Sequence, residues 1–177
     1  MSFYMAASGA RKVVCLEPEA AGSNSEMDGR YNRLAQRLGE NVSRRTEDLA
    51  DHASEAHQYD IALLHNTINH IDEDACARLQ DEDARGIFLD VFALIRSLLR
   101  PNGWVIVADA ARRNLWGDLG LPNPFAPTID WRIHQSPQEW LHLITPVGFS
   151  SGRIRWNAPS RLRRPGQLLL GNQMGGY

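Results

Sequence analysis

Three short apolar runs constrain the fold of this chain more than any other feature. They are Val13–Leu16, Ile61–Leu64 and Trp104–Ala108, and polar residues follow each of them at once. Their hydrophobicity is continuous rather than alternating, which is typical of strands covered on both faces in a parallel sheet. Residues 41–45 predict a fourth, weaker strand. The sequence therefore predicts buried strands in a mostly parallel sheet.

Helical segments lie between these strands. Helices are predicted at residues 2–8, 26–38, 72–100 and from the capping box Ser136–Glu139 onward. Gly9 is predicted to end the first helix in a left-handed turn. Two closing strands are predicted at residues 153–156 and 167–170. Strands that alternate with helices indicate an α/β sandwich, and residues 1–177 are interpreted as a single domain.

Composition and net charge argue against several classes of protein. The net charge of −2 argues against a general nucleic-acid or membrane binder. No apolar run approaches the roughly 20 residues that a membrane helix needs, and residues 1–10 do not resemble a signal peptide. Cys15 and Cys76 have no nearby cysteine partner, which predicts neither a disulfide framework nor a zinc site and favours the cytoplasm.

Polar side chains follow three of the predicted strands. They are Glu17, the pair His65–Asn66, and Asp109. Because the carboxyl ends of parallel strands share one edge of a sheet, these residues are expected at a ligand-binding edge. A carboxylate such as Glu17 can accept two hydrogen bonds from a ribose diol. The alternative for Glu17 is a solvated loop carboxylate before a proline.

Four segments, in this order, resemble class I S-adenosylmethionine-dependent methyltransferases. They are VVCLEPE, YDIALLHNTINHI, LLRPNGWVIVAD and SPQEWLHLITPVGF, and the resemblance runs from about residue 3 to residue 157. It implies a Rossmann-like three-layer sandwich with a mostly parallel sheet and an antiparallel last strand. The family's first strand and its D-x-G-x-G loop would precede Ser2. The chain is therefore expected to be truncated at the N-terminus, and the last strand is expected to be incomplete.

The resemblance implies S-adenosylmethionine as the cofactor and assigns residues to it. Those residues are Glu17, Pro18, Glu47, Asp48, His65 and Asn66. Glu17 would meet the ribose, Glu47 or Asp48 the adenine, and His65 and Asn66 the methionine end. Helix capping is the alternative for Glu47 and Asp48, and strand-end hydrogen bonding is the alternative for His65 and Asn66.

The resemblance assigns His70, Asp109 and Trp116 to the binding site of the methyl acceptor. His70 would be a general base for an acceptor hydroxyl, since its ordinary pKa lies near neutrality; helix capping or packing is the alternative. Asp109 would orient the substrate or cap the loop that follows it, and Trp116 would cover a small organic substrate or pack in the core. No metal is predicted, because the spacing of the other histidines does not suit ligands, and these are interpreted as surface or packing residues: His52, His57, His134 and His142.

The expected activity is methyl transfer to a small-molecule acceptor, at a hydroxyl. Partners are expected to be small molecules rather than nucleic acid or membrane, and a homodimer stays open. A nicotinamide-dependent oxidoreductase is one alternative, although a Tyr-x-x-x-Lys pair is lacking and Lys12 is the only lysine. A non-catalytic interaction module with a degenerate methyltransferase fold is the other.

Overall fold

The computed structural model describes residues 1–17, 25–38, 41–54, 58–112, 115–123, 127–150, 152–157 and 165. The chain divides into two compact units, Met1–Ala56 and His57–Tyr177. Each unit contains one pair of parallel strands in its described part. Whether the whole chain acts as the single domain that the sequence predicts stays a prediction.

The first unit alternates helices and strands. Its elements are α1 (Ser2–Ala7), β1 (Val13–Leu16), α2 (Ser25–Leu38), β2 (Val42–Arg45) and α3 (Leu49–His52). β1 and β2 run parallel, with Val13 opposite Val42, so the strands predicted at both places are confirmed. Gly9 has φ +101° at the end of α1, which confirms the predicted left-handed turn.

Side chains hold the helices of this unit against its strands. The rings of Phe3 and Tyr31 lie 5.2 Å apart between centroids and join α1 to α2. The Tyr31 hydroxyl donates to the backbone oxygen of Val42 at 3.4 Å. Asn41 Nδ2 donates to the backbone oxygen of Ala10 at 2.6 Å, so the entry to β2 is fixed next to the entry to β1.

The second unit contains the other strand pair and most of the buried residues. Its helices and strands are β3 (Tyr59–His65), α4 (Glu73–Ala77), α5 (Glu82–Leu98), β4 (Leu99–Ala108), α6 (Leu115–Asp118) and α7 (Pro137–Ile144). In the described part of this unit, 3-10 turns lie at Ile68–His70, Trp131–Ile133 and Thr145–Val147. β3 and β4 are parallel, from Ile61 opposite Trp104 to His65 opposite Ala108. The predicted α/β organisation with parallel strands is confirmed.

The single helix predicted over residues 72–100 is in fact two helices. Asp72 caps α4 by accepting from the Ala75 N–H at 2.8 Å, and residues 78–81 separate it from α5. The prediction was wrong there because apolar spacing continues across the turn, while the caps that end one helix and begin the next are local contacts.

Aromatic side chains form the centre of the core of this unit. Phe88 and Phe92 of α5 are completely buried, and their rings lie 5.2 and 6.2 Å from the Trp140 ring of α7. Ile87 keeps the helical spacing of the apolar residues in α5, yet it is 40% exposed. Val91, Ile95 and Leu98 are buried together with Phe88 and Phe92, because residues three and four apart lie on the same face of a helix.

One face of the β3–β4 pair is exposed. Ile61, Trp104 and Ile106 lie on it, with exposed fractions of 45%, 69% and 44%. The predicted burial of these side chains is therefore wrong. A continuous apolar run shows that both faces of a strand are apolar, but it does not show that a layer of structure covers each face.

Residues 153–156 are not a strand, contrary to the prediction. Their alternation is still visible, since Ile154 and Trp156 are partly covered while Arg153 and Arg155 are exposed. A strand requires a hydrogen-bonded neighbour as well as this pattern. The neighbour predicted at residues 167–170 lies outside the described residues.

Candidate functional site

The carboxyl ends of β3 and β4 bring three predicted site residues to one edge. The Asn66 N–H donates to the backbone oxygen of Ala108 at 2.8 Å, so His65 and Asn66 lie beside the residue that precedes Asp109. Asn66 has φ +51°, an uncommon backbone conformation for a residue other than glycine that occurs often at functional sites. His65 and Asn66 are both exposed at this edge.

A buried polar cluster lies behind this edge and consists of Cys76, Asp109, His134 and Gln135. His134 Nδ1 lies 3.4 Å from Asp109 Oδ1, and their side chains are only 10% and 5% exposed. Asp109 Oδ1 also accepts from the Ala110 N–H at 2.8 Å. A carboxylate and an imidazole therefore lie next to each other in the interior of this unit.

Cys76 joins both neighbours of His134 to α4, through the Ile133 backbone and the Gln135 side chain. Its Sγ donates to the backbone oxygen of Ile133 at 2.8 Å, and Gln135 Nε2 donates to the Cys76 backbone oxygen at 2.5 Å. Burial, and to a lesser extent the Asp109 carboxylate, raise the pKa of the Cys76 thiol to about 12. Cys76 is therefore a neutral hydrogen-bond donor near pH 7 rather than a nucleophile.

Several buried polar atoms lack a hydrogen-bond partner in the described part of the chain. They are Asn69 Oδ1, Asp109 Oδ2, His134 Nδ1 and Trp140 Nε1. Most buried polar groups in folded proteins are hydrogen-bonded, and an unsatisfied one costs about 1–3 kcal/mol. Two of these atoms belong to the polar cluster, which marks it as a place where a polar ligand group would gain hydrogen bonds.

The predicted base His70 lies outside this cluster. Its side chain is 54% exposed, and Nδ1 lies 2.7 Å from Glu73 Oε1. Asn69 Nδ2 is 3.4 Å from its Nε2. Trp116 lies partly buried on α6, and its backbone oxygen accepts from the Leu121 N–H at 2.9 Å. The substrate roles of His70 and Trp116 stay predictions.

In the first unit, the predicted cofactor residues have different surroundings. Glu17 follows β1, and its N–H donates to the Arg45 backbone oxygen at 2.9 Å. Glu47 Oε1 lies 2.6 Å from Nδ1 of the buried His52. Asp48 caps α3 by accepting from the Asp51 N–H at 2.8 Å, as the capping alternative expected. Pro18 lies outside the described residues, and the cofactor roles of all four stay predictions.

Sequence reasoning did not select His134 and Gln135 as functional residues. His134 was interpreted as a surface or packing residue, and it is buried against Asp109. Asp109 and His134 are far apart along the chain, so only tertiary packing brings them together. Within the described ranges, no three His, Cys, Asp or Glu side chains are grouped to hold a metal ion, and no helix is long and apolar enough to cross a membrane.

Neither the protein families nor the curated proteins contain a match to this sequence. Among solved structures, the chain is similar to PigF with S-adenosylhomocysteine, with a TM-score of 0.52 and 18% identity over 85% of this chain. It is also similar, at a TM-score of 0.46 and 15% identity over 82% of this chain, to CrArsM, an arsenic(III) S-adenosylmethionine methyltransferase from Chlamydomonas reinhardtii. The chain spans 45% of the length of each. Together with the parallel strand pairs, the likeness to PigF shows that this chain has the Rossmann-like fold seen in PigF.

Proposed function

We propose that this chain belongs to an enzyme that transfers a methyl group from S-adenosylmethionine to a hydroxyl of a small organic molecule. The observation that carries the proposal is the fold shared with PigF, a protein seen with S-adenosylhomocysteine. When bound, the cofactor would supply an electrophilic methyl group on a sulfonium. The acceptor class, a small molecule rather than nucleic acid, is favoured by the net charge of −2.

The surroundings of Glu17 fit the ribose of such a cofactor. Its side chain is partly exposed at the carboxyl end of β1. Its carboxylate has no hydrogen-bond or ion-pair partner among the described residues, whereas Glu47 and Asp48 already bind His52 and the Asp51 N–H. A free carboxylate can accept both hydroxyls of a ribose diol. We therefore assign the cofactor contact in this unit to Glu17 first.

Calorimetric titration of the 177-residue chain with S-adenosylhomocysteine tests this proposal. Binding to the native chain is expected, and Glu17→Ala should weaken it at least ten-fold because charge-assisted hydrogen bonds are lost. Glu82→Ala is the matched control, since Glu82 is an exposed acid in the first turn of α5. A folded chain that binds no S-adenosylhomocysteine, or a Glu17→Ala variant that binds as well as the native chain, would contradict the proposal.

A non-catalytic interaction module is the second candidate function. The observation in its favour is the exposed apolar face of Ile61, Trp104 and Ile106, because apolar side chains gathered on one surface often mark an interaction site. The same titration separates the two candidates, since a module of this kind has no need of the cofactor. A parallel titration with NADH tests the oxidoreductase alternative.

A further inference from the structure

We propose that the Asp109–His134 pair binds the polar group of the small-molecule acceptor, and that this group is a neutral or cationic hydrogen-bond donor rather than an anion. The identity of the ligand as the methyl acceptor rests on the proposed function, whereas the binding site itself does not. Asp109 was predicted from the sequence to orient the substrate, whereas His134 was not selected, and the pair is distinct from the predicted base His70.

The first support is that each of the two buried side chains has a polar atom without a hydrogen-bond partner among the described residues. Asp109 Oδ2 and His134 Nδ1 have no hydrogen-bond partner among the described residues, although the side chains are only 5% and 10% exposed. The free atom of Asp109 is a carboxylate oxygen, which only accepts hydrogen bonds. A ligand that satisfies it must offer an O–H or N–H group, and an anionic group would be repelled.

The second support is that the backbone around His134 is held from several directions. Arg112 Nε donates to the Trp131 backbone oxygen at 3.1 Å, and another nitrogen of the same guanidinium donates to the Arg132 backbone oxygen. Cys76 holds the residues on either side of His134 through Ile133 and Gln135. Because the ring is already held in place, ligand binding would cost little further conformational entropy.

The third support is that the other nearby acid is already occupied. Asp130 accepts from the Arg132 guanidinium at 2.7 Å, and this pairing lowers the pKa of Asp130 to about 2. The Arg132 N–H also donates to Asp130, at 3.0 Å. Asp109 is therefore the carboxylate beside His134 that has an oxygen left for a ligand.

The chemistry of the pair suits a hydroxyl. With its hydrogen on Nδ1, His134 is a donor beside the free oxygen of Asp109, which only accepts. A bound hydroxyl would donate its hydrogen to Asp109 Oδ2, and its oxygen would accept from His134 Nδ1. His134 and Asp109 would thus both be ligand contacts.

Histidine side-chain NMR spectra of the 177-residue chain test this inference without requiring the cofactor. The probes are phenol, benzylamine and benzoate, which share a ring and differ in charge, at up to about 50 mM to cover the millimolar affinities of small fragments. The His134 ring signals are identified by their loss in His134→Gln. Phenol or benzylamine should shift them, while benzoate should bind at least ten-fold more weakly.

Binding measurements on variants show whether the probes bind at the Asp109–His134 pair. Asp109→Asn should weaken phenol and benzylamine binding at least five-fold, and His142→Gln, at an exposed position on α7, should leave it unchanged. If His134→Gln does not fold, calorimetric titration of the native chain and Asp109→Asn with the same three probes still gives the answer. The inference is overturned if no probe shifts the His134 signals, or if benzoate binds as tightly as phenol. If the probes do not bind as expected but S-adenosylhomocysteine binds, this inference fails and the proposed function stands. If the probes bind as expected but S-adenosylhomocysteine does not bind, the binding site stands and the proposed function fails.

Discussion

Cys76 Sγ and the backbone oxygen of Ile133 are joined by a 2.8 Å hydrogen bond between residues 57 positions apart in the sequence. This contact connects α4 to the turn that precedes His134. Burial and the Asp109 carboxylate raise the pKa of the thiol from its ordinary value of 9.0 to about 12. The thiol is thus a structural donor whose ionisation would break the contact.

The raised pKa of Cys76 predicts a loss of stability at high pH. The unfolded chain releases this proton near pH 9.0, but the folded chain releases it only near pH 12. Between these values the unfolded state binds fewer protons, so the free energy of unfolding falls as the pH rises. The expected loss is about 1 kcal/mol from pH 9 to pH 10.

Urea unfolding of the native chain and Cys76→Ala at pH 8, 9 and 10 measures this effect. The variant lacks the titrating thiol, so its stability should fall less over this range than that of the native chain. Cys15→Ala is the control for the other thiol and should keep the native pH dependence. Equal pH dependence in the native chain and Cys76→Ala would show that the Cys76 pKa is not raised.

Core and surface aromatic residues are expected to respond very differently to truncation. Phe92 is completely buried beside Trp140, so Phe92→Ala should cost about 3–5 kcal/mol. Trp104 is 69% exposed on β4, so Trp104→Thr, which keeps a strand-forming residue, should cost less than about 1 kcal/mol. Denaturation followed by far-ultraviolet circular dichroism compares the two. A Trp104→Thr cost equal to that of Phe92→Ala would mean that this face is covered in solution.

The elements of the fold were largely predictable, because each is determined by local sequence. The apolar runs at Val13–Leu16 and Tyr59–His65, the turn at Gly9 and the cap at Ser136 depend on neighbouring residues only. Burial was less predictable. Trp104 and Phe88 are both large aromatic residues, and it is the packing of α5 against α7 that buries Phe88.

The candidate site was also predictable only in part, because some of its contacts join residues that are distant in the sequence. His65, Asn66 and Asp109 could be placed at one edge because parallel pairing brings strand ends together. The partnership of Asp109 with His134 was not predictable, because the sequence between them carries no periodic pattern. The hydrogen bonds of Cys76 to Ile133 and of Arg112 to Trp131 are likewise contacts between distant residues.

The cap of α7 gives a further prediction for stability. Ser136 Oγ accepts from the Glu139 N–H at 3.3 Å, and the Glu139 carboxylate lies 3.6 Å from Arg85 of α5. Ser136→Ala should lower the free energy of unfolding by about 1 kcal/mol, because the N–H at the helix start loses its acceptor. Ser136→Asp, which keeps an acceptor, should retain most of the stability in the same urea titration. Equal losses in the two variants would argue that Ser136 acts through packing instead.

Asn102 is expected to be replaceable by glycine but not by alanine. It has φ +64°, in the left-handed region that costs a residue with a Cβ atom about 1–2 kcal/mol and that asparagine tolerates better than most. It is exposed within β4, between the paired residues Leu99 and Trp104, where the register between β3 and β4 shifts. Asn102→Ala should therefore cost about 1 kcal/mol, while Asn102→Gly should change stability by less than about 0.5 kcal/mol.

Gly103 is the matched contrast for this prediction, because its constraint is crowding and not backbone conformation. A Cβ atom there would lie 3.0 Å from the Arg100 backbone oxygen and 3.1 Å from Leu99 Cβ. Gly103→Ala should therefore destabilise the chain, whereas alanine at position 102 is penalised by its φ alone. Urea titrations of the three variants separate these causes. If Asn102→Ala were as stable as Asn102→Gly, the left-handed conformation at this bulge would not exist in solution, and the β3–β4 register next to the candidate site would need another explanation.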